Sequence, residues 1–176
     1  MMKLVFPTKE HEAQAKEFYA EFEAYSSETA GTGSLDRYLK DSTYDAWLEK
    51  VMAKLDVANL PPDKAPGITY FCVREEDNKI IGMINIRPTP NEFLRTEGGH
   101  IGYCIRPTER RKGYGTELLR LGLEVCRRVD IHRVIVSCDK LNLASAGVIK
   151  NCGGILEAEL YSETFGELIQ RYVIVL

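Results

Sequence analysis

The residues best suited to chemistry stand together at 110–115, Arg110-Arg111-Lys112-Gly113-Tyr114-Gly115, with Thr116 opening a helical pattern behind them. The chain as a whole carries a net charge of −3, so this concentration of positive charge is local. A helix N-terminus leaves backbone N–H groups unpaired and carries partial positive charge. Glycines let that backbone approach a bulky anion, and basic side chains add formal charge. Together they predict a cradle for a phosphate or pyrophosphate. Two better-known phosphate patterns are absent. There is no G-x-x-x-x-G-K-[ST], and Leu118 follows where a dinucleotide fingerprint has its third glycine. An ordinary basic turn closed by glycines is the competing reading of the spacing.

The elements that must position this loop follow from periodicity. Residues 8–25 place Ala15, Phe18 and Phe22 near helical spacing, with Thr8 as a cap, and 41–56 repeat the pattern with Trp47, Leu48, Val51 and Leu55. Between them 26–35 read as loop, and the prolines of 59–67 break the second helix. Strands are expected at 68–75 and 79–88, as a hairpin, and at 100–107. A helix at 116–130, a strand at 132–138 and a short helix at 142–154 closed by Gly153 and Gly154 come next. Strands at 155–162 and 168–176 finish the chain as a hairpin. Helices first, then strands alternating with helices, predict one α/β or α+β domain over 1–176 with helices on both faces of its sheet.

The totals narrow the function. With 176 residues, 44% hydrophobic and 28% charged, the chain suits a single soluble domain with a real core. A negative net charge disfavours a general nucleic-acid binder. No window approaches a transmembrane span and the N-terminus does not resemble a signal peptide, so a cytoplasmic protein is expected. The five cysteines stand singly and lack a C-x-x-C, which predicts reduced, buried thiols. The three histidines lie far apart, without metal-ligand spacing.

In this context Arg110-Arg-Lys-Gly113-Tyr-Gly115 resembles the R/Q-x-x-G-x-G/A signature of the GNAT superfamily of acyl-CoA-dependent N-acetyltransferases. The resemblance covers essentially the whole chain. It implies a GNAT fold: a mixed, mostly antiparallel twisted sheet with a splayed central strand pair and residues 8–56 as substrate-side helices. Within the superfamily, Asn142, Ser145, Val148-Ile149 and Gly153 are similar to the branch that includes ribosomal-protein acetyltransferases, with Gly154 in place of the usual aromatic. The GTGSLDRY…YDAWL region is similar to a group of bacterial acetyltransferases of undefined substrate. The implied cofactor is acetyl-CoA, without a metal. Its pyrophosphate would lie on Arg110, Arg111, Lys112, Gly113, Tyr114, Gly115 and Thr116, and its pantetheine on the backbone of Cys104 and Ile105 and on Asn142.

Acetyl transfer to an amine needs a base, a donor for the thioester oxygen and a donor for the departing thiolate. Many GNAT enzymes use a tyrosine where Ile149 stands, so here the proton donor must come from elsewhere. The resemblance points to Ser145 for the thiolate, with Tyr161 as a weaker candidate. Glu97 and His100 are the candidate bases, a bound water being the alternative, and strand alternation would put them on opposite faces. Tyr38, Tyr44 and Trp47 fall in the acceptor-side region, as core or pocket, and Asp36, Asp41 and Asp45 as caps or as attraction for a cationic amine. The expected partner is an amine-bearing acceptor, small molecule or protein, with no nucleic acid and no membrane; a homodimer is compatible with the resemblance. A GNAT-fold module that binds acyl-CoA without turnover is the alternative.

Overall fold

The computed structural model describes residues 1–61, 64–89 and 91–176. Part of the breaker expected at 59–67, Pro62 and Asp63, lies outside them. Strand β1 (Met2–Val5) is followed by helices α1 (Glu12–Ala24), α2 (Leu35–Asp41) and α3 (Tyr44–Ala53). Strands β2 (Ile68–Arg74), β3 (Ile80–Ile86) and β4 (Ile101–Ile105) come next, then α4 (Tyr114–Arg128), β5 (Arg133–Asp139), α5 (Leu143–Asn151), β6 (Ile155–Ser162) and β7 (Glu167–Val175). The strands form two antiparallel sheets, ordered β1-β2-β3-β4 and β5-β7-β6. Both expected hairpins are present, β2 with β3 and β6 with β7.

Two apolar cores lie on opposite faces of the first sheet. One joins α4 and α5 to the strands through Leu118, Leu119, Leu123, Cys126, Ala146 and Ile149, against Ile84, Ile101 and Ile105. In α4 these residues fall on one stripe, as a helix buried along one side requires. The other core packs Phe18, Phe22, Leu35, Tyr44, Trp47 and Val51 of α1–α3 against Phe71, Val73, Met83 and Cys104. Strand alternation divides β4 between the two: Ile101, Tyr103 and Ile105 serve the α4/α5 side, and Cys104 the α1–α3 side. Polar tips inside the second core are satisfied. The Trp47 indole N–H donates to the Thr32 carbonyl at 3.0 Å and the Tyr44 hydroxyl to the Thr8 carbonyl at 2.7 Å.

Three elements differ from the sequence reading. Met2–Val5, unassigned there, pairs with Val5 opposite Phe71 and Met2 opposite Arg74. Residues after the 26–35 loop form α2, entered through Ser34 at φ 70°. A single π-helical turn, Leu94–Gly98, precedes β4 and shortens the strand expected at 100–107 to Ile101–Ile105.

The α1–α2 connection touches β4 backbone to backbone. At Gly31 (φ 68°) a Cβ would stand 2.0 Å from the Gly102 carbonyl oxygen, so only glycine fits. Replacement Gly31→Ala combines a left-handed backbone with a clash against main chain. We expect a loss of at least about 2 kcal/mol, or ~4–8 °C in melting temperature at this chain length; an unchanged melt would mean that the loop does not seat on β4.

Candidate active site

The central feature is a seam that opens. On one edge β4 is fully laddered to β3, Ile101 opposite Ile86 through Ile105 opposite Gly82. On its other edge contact with β5 is confined to one level. Gly99 bridges Val136, and the His100 N–H donates to the Ile135 carbonyl at 2.7 Å. Among the described residues no strand pairs with Ile101–Ile105 on that edge. Below the bridge the two sheets diverge and leave backbone donors and acceptors of β4 facing a cleft.

At the open end of the cleft β4 runs into the glycine loop. Helix α4 starts at Tyr114, two residues earlier than expected, so Tyr114, Gly115 and Thr116 form its first turn. Its first internal bonds run from the Thr116 and Glu117 N–H groups to the Gly113 carbonyl, at 3.1 and 3.2 Å. The preceding amides have no partner within the helix. Arg111 (φ 64°) and Gly113 (φ 86°) both take the left-handed conformation, and the space where a Gly113 Cβ would sit is open. Gly115 faces α5, with Val148 Cγ2 3.0 Å from where its Cβ would be.

The three basic residues of the loop divide their work. Arg110 Nε donates to the Ile105 carbonyl at 3.1 Å and Nη2 to Ser27 Oγ at 2.8 Å, while its guanidinium lies over Phe22. Lys112 Nζ donates to Glu109 Oε2 at 2.9 Å. Glu109 is buried and also pairs with Arg74; Lys112, with burial opposing it, helps hold its carboxyl below the usual range. Among the described residues Arg111 has no ion-pair partner, and it is exposed. Two of the three charges therefore brace the loop and one faces outward.

Across the cleft stands the N-terminus of α5. Asn142 Oδ1 accepts the Ser145 N–H at 3.0 Å and caps the helix. Ser145 Oγ lies 3.0 Å from the Tyr103 hydroxyl, a bond from β4 to α5 across the seam. Burial pushes the Tyr103 phenol well above its usual value, with Ser145 opposing. Ile149 is fully buried in the α4/α5 core. Tyr103 was not among the sequence candidates. Its strand position put it on the face of Ile101 and Ile105, yet nothing local marked Ser145, 42 residues later, as its partner.

The other candidates fall as follows. Cys104 and Ile105 are buried, so only their backbone can serve a ligand, and burial pushes the Cys104 thiol up to about 11. All five cysteines are free thiols. Glu97 lies in the π-turn, outside β4, so the alternation expected between it and His100 does not apply. One oxygen of its carboxylate accepts from the buried Ser162 hydroxyl. Tyr161 is exposed on β6, the strand separated from β5 by β7. Tyr44 and Trp47 belong to the core; Asp45 pairs with Lys9, and Asp36 accepts from Thr32 at 3.3 Å. Among the described residues no group of His, Cys, Asp and Glu could hold a metal, and no helix is long and apolar enough to cross a membrane.

The sequence profile of the acetyltransferase (GNAT) domain matches residues 2–155. The chain belongs to the GNAT acetyltransferase family. Acetyl-CoA is the acyl donor of that family, and this GNAT chain has features that fit it: an unpaired β4 edge, open space at Gly113 and helix amides at the end of the edge. No curated protein sequence matches the chain. Similar solved structures include RimJ of Mycobacterium smegmatis in complex with CoA-disulfide, at TM-score 0.75 and 15% identity, covering 99% of this chain and 81% of that one. The ribosomal-protein-S5-alanine acetyltransferase of Vibrio fischeri aligns at TM-score 0.73 and 15% identity, covering 99% and 92%. An acetyltransferase of Salmonella typhimurium that modifies the N-terminal serine of ribosomal protein L7/L12 aligns at 0.69 and 16%, covering 99% and 95%. At such identities the likeness is one of fold.

His100 pins the seam through two bonds to Ile135. Its ring Nδ1 accepts the Ile135 N–H at 3.0 Å, which puts the proton of the neutral ring on Nε2. Burial, with Arg133, Arg171 and Arg87 adding to it, lowers its pKa below 6.5. A lowered histidine pKa stabilises the fold above the unfolded value and loses that contribution as pH falls through 6.5 toward the folded one. The bond to a buried N–H sets the scale at ~1–3 kcal/mol. Melting temperature measured from pH 7.5 to pH 5 should therefore fall less in His100→Gln than in the parent; parallel curves would remove His100 from the acid response.

Proposed function

We propose that the chain transfers an acetyl group from acetyl-CoA to a primary amine by direct attack, without a covalent enzyme intermediate. The observation that carries this reading is the unpaired edge of β4, which runs from the His100 pin down to the Gly113 loop. The pyrophosphate would rest on the amides of Gly113, Tyr114 and Gly115, beside Thr116, whose own N–H is bonded to the Gly113 carbonyl, with Arg111 supplying charge from outside. The pantetheine would take the main-chain groups of β4 around Cys104 and Ile105 that Arg110, bonded to the Ile105 carbonyl, leaves free, with Asn142 on the opposite wall. Bound there, acetyl-CoA supplies a thioester whose carbonyl an amine attacks and whose thiolate departs.

The remaining chemistry falls to this chain's own side chains. Ser145 Oγ donates a hydrogen bond to the leaving sulfur. A serine hydroxyl is a poor acid, but the Tyr103 hydroxyl 3.0 Å away can turn its own proton toward Ser145 as charge develops. This pair replaces the tyrosine that Ile149 cannot provide. For the base, His100 is ill placed: Nδ1 is engaged and Nε2 already carries a proton. Glu97 keeps a carboxylate oxygen not used by Ser162 and is assigned the proton of the attacking ammonium, directly or through water. Ribosomal-protein acetyltransferases share this fold, which makes a protein N-terminus one acceptor to test.

Ligand binding and turnover test separate parts of this reading. Acetyl-CoA at about 100 times its dissociation constant should add ~2.7 kcal/mol, a rise of ~5–10 °C in melting temperature. Gly113→Glu should abolish that rise while Gly113→Ala, equally strained but uncharged, keeps part of it. Equal shifts in both variants would sink the cradle.

Thiol release then reports the chemistry. Ser145→Ala should lower kcat about 10- to 100-fold, as expected for a lost hydrogen bond to a charged group, and Tyr103→Phe by less. Glu97→Gln should lower kcat about 100-fold or more. All three should keep the acetyl-CoA shift. An unchanged rate removes the residue from the mechanism, and binding without turnover of any amine would make the chain an acyl-CoA-binding module.

A further inference from the structure

On the α1–α3 side of the sheet, cations gather at the closed end of the cleft without acids to match. Arg87 follows β3 and its backbone N–H donates to the His100 carbonyl at 2.9 Å. Its guanidinium donates from Nε to Asn85 Oδ1 at 3.0 Å and from Nη1 to the Gly99 carbonyl at 3.3 Å, and Nη2 stands over Gly102 of β4. All of these partners are neutral. Behind Arg87, Asn85 Nδ2 donates to Thr69 Oγ1 at 2.9 Å, and both residues are buried. Lys54, at the end of α3, reaches Gly67, where Asn85 also lies, and is close enough to Arg87 to feel its charge; Lys50, one turn earlier, feels that of Lys54. Lys50 Nζ donates to the Gly33 carbonyl at 2.9 Å and sits 5.0 Å from the centre of the Tyr38 ring, which Arg37 also approaches.

Among the described residues no carboxylate lies within ion-pair distance of Arg87, Lys50 or Lys54. Asp36 is the acid that acts on Lys50 at longer range, and its carboxylate is bonded to Thr32. The C-terminus of α3 contributes partial negative charge, about half a unit, against three full positive ones. Burial lowers the pKa of Arg87 and of Lys54 and pushes Lys50 down to about 8. Half-buried cations in mutual repulsion are costly unless an anion completes them. The place they occupy is informative: Arg87 touches Gly99 and His100, the level at which β4 and β5 part.

We propose that Arg87, Lys50 and Lys54 form the recognition site for the acyl acceptor, and that this acceptor is an amine whose own molecule carries a carboxylate or phosphate. The inference rests on the acetyltransfer reading, since it places the acceptor at the apex of the seam, on the face opposite α4 and α5. The anion pairs with the Arg87 fork and the two ammonium groups. Its amine is thereby held toward the start of β4; at Gly102 itself the Gly31 main chain lies on the strand, so the amine reaches the β4 edge beside that contact.

Matched acceptors decide the question. Thiol release is measured with glycylglycine against glycylglycinamide, and with phosphoethanolamine against ethanolamine, at saturating acetyl-CoA. The anionic member of at least one pair should be favoured about 10- to 100-fold in kcat/KM, and the pair that responds separates carboxylate from phosphate. Lys54→Met and Arg87→Gln should each erase most of that preference, mainly through KM, and leave the acetyl-CoA melting shift intact. As a readout free of turnover, N-acetylglycine should stabilise the CoA complex of the parent more than N-acetylglycinamide does, and should lose that advantage in Lys54→Met. Preference for the neutral members, or equal stabilisation by both products, with the acetyl-CoA shift preserved, overturns the anionic acceptor alone. Absence of the acetyl-CoA shift in the parent overturns the acetyltransfer reading and this inference with it.

Discussion

Two sheets that would otherwise run together are held at a single level, where the His100 N–H meets the Ile135 carbonyl and the His100 ring returns a bond from the Ile135 N–H. Everything below that level depends on the pairing stopping there. Were β4 and β5 laddered along their length, β4 would have no free edge and α5 no cleft to face. The π-turn at Leu94–Gly98 and the positive φ of Gly99 bring the chain into β4 already bonded to β5 at its first residues. The sheets then diverge because each is committed elsewhere, β4 to β3 and β5 to β7.

Charge is distributed around this opening according to what each group must do. At the loop end, buried Glu109 gathers Arg74, Lys79 and Lys112, and Arg106, almost fully buried, is met by Glu17 and Glu21. These pairs fix the path from β4 to α4, with Arg110 and Lys112 as braces of the loop and Arg111 left exposed without an ion-pair partner among the described residues. At the apex the order is reversed. Arg87 and Lys50 are satisfied by carbonyl and amide oxygens, which meet their hydrogen-bonding needs but leave their charge uncompensated. A chain of net charge −3 thus holds its positive charge where anions would be handled.

Much of this could be read along the chain. The strands at 68–75 and 79–88, the α4 and α5 helices and the final hairpin all appear with small shifts, because their apolar residues repeat at the period of the element that buries them. The elements missed are those whose stability is borrowed. Met2–Val5 is four residues long and is a strand because β2 offers an edge; α2 is seven residues long and is anchored by Leu35 in the α1–α3 core. The π-turn has no local signature and changed the reading of Glu97 and His100 together, since it takes in Glu97 and leaves His100 just ahead of β4.

The sequence by itself determined the glycine loop ahead of α4, the capping of α5 by Asn142 and the family, because each is a local pattern in which neighbouring residues share one loop or one helix turn. The tertiary structure decided which groups meet: Tyr103 with Ser145, His100 with Ile135, Arg87 with Gly99, and Arg110 with Ser27. Those meetings span from 12 to 83 positions of chain. They are set by how two sheets and two cores pack, and no spacing along the chain encodes a distance of that kind.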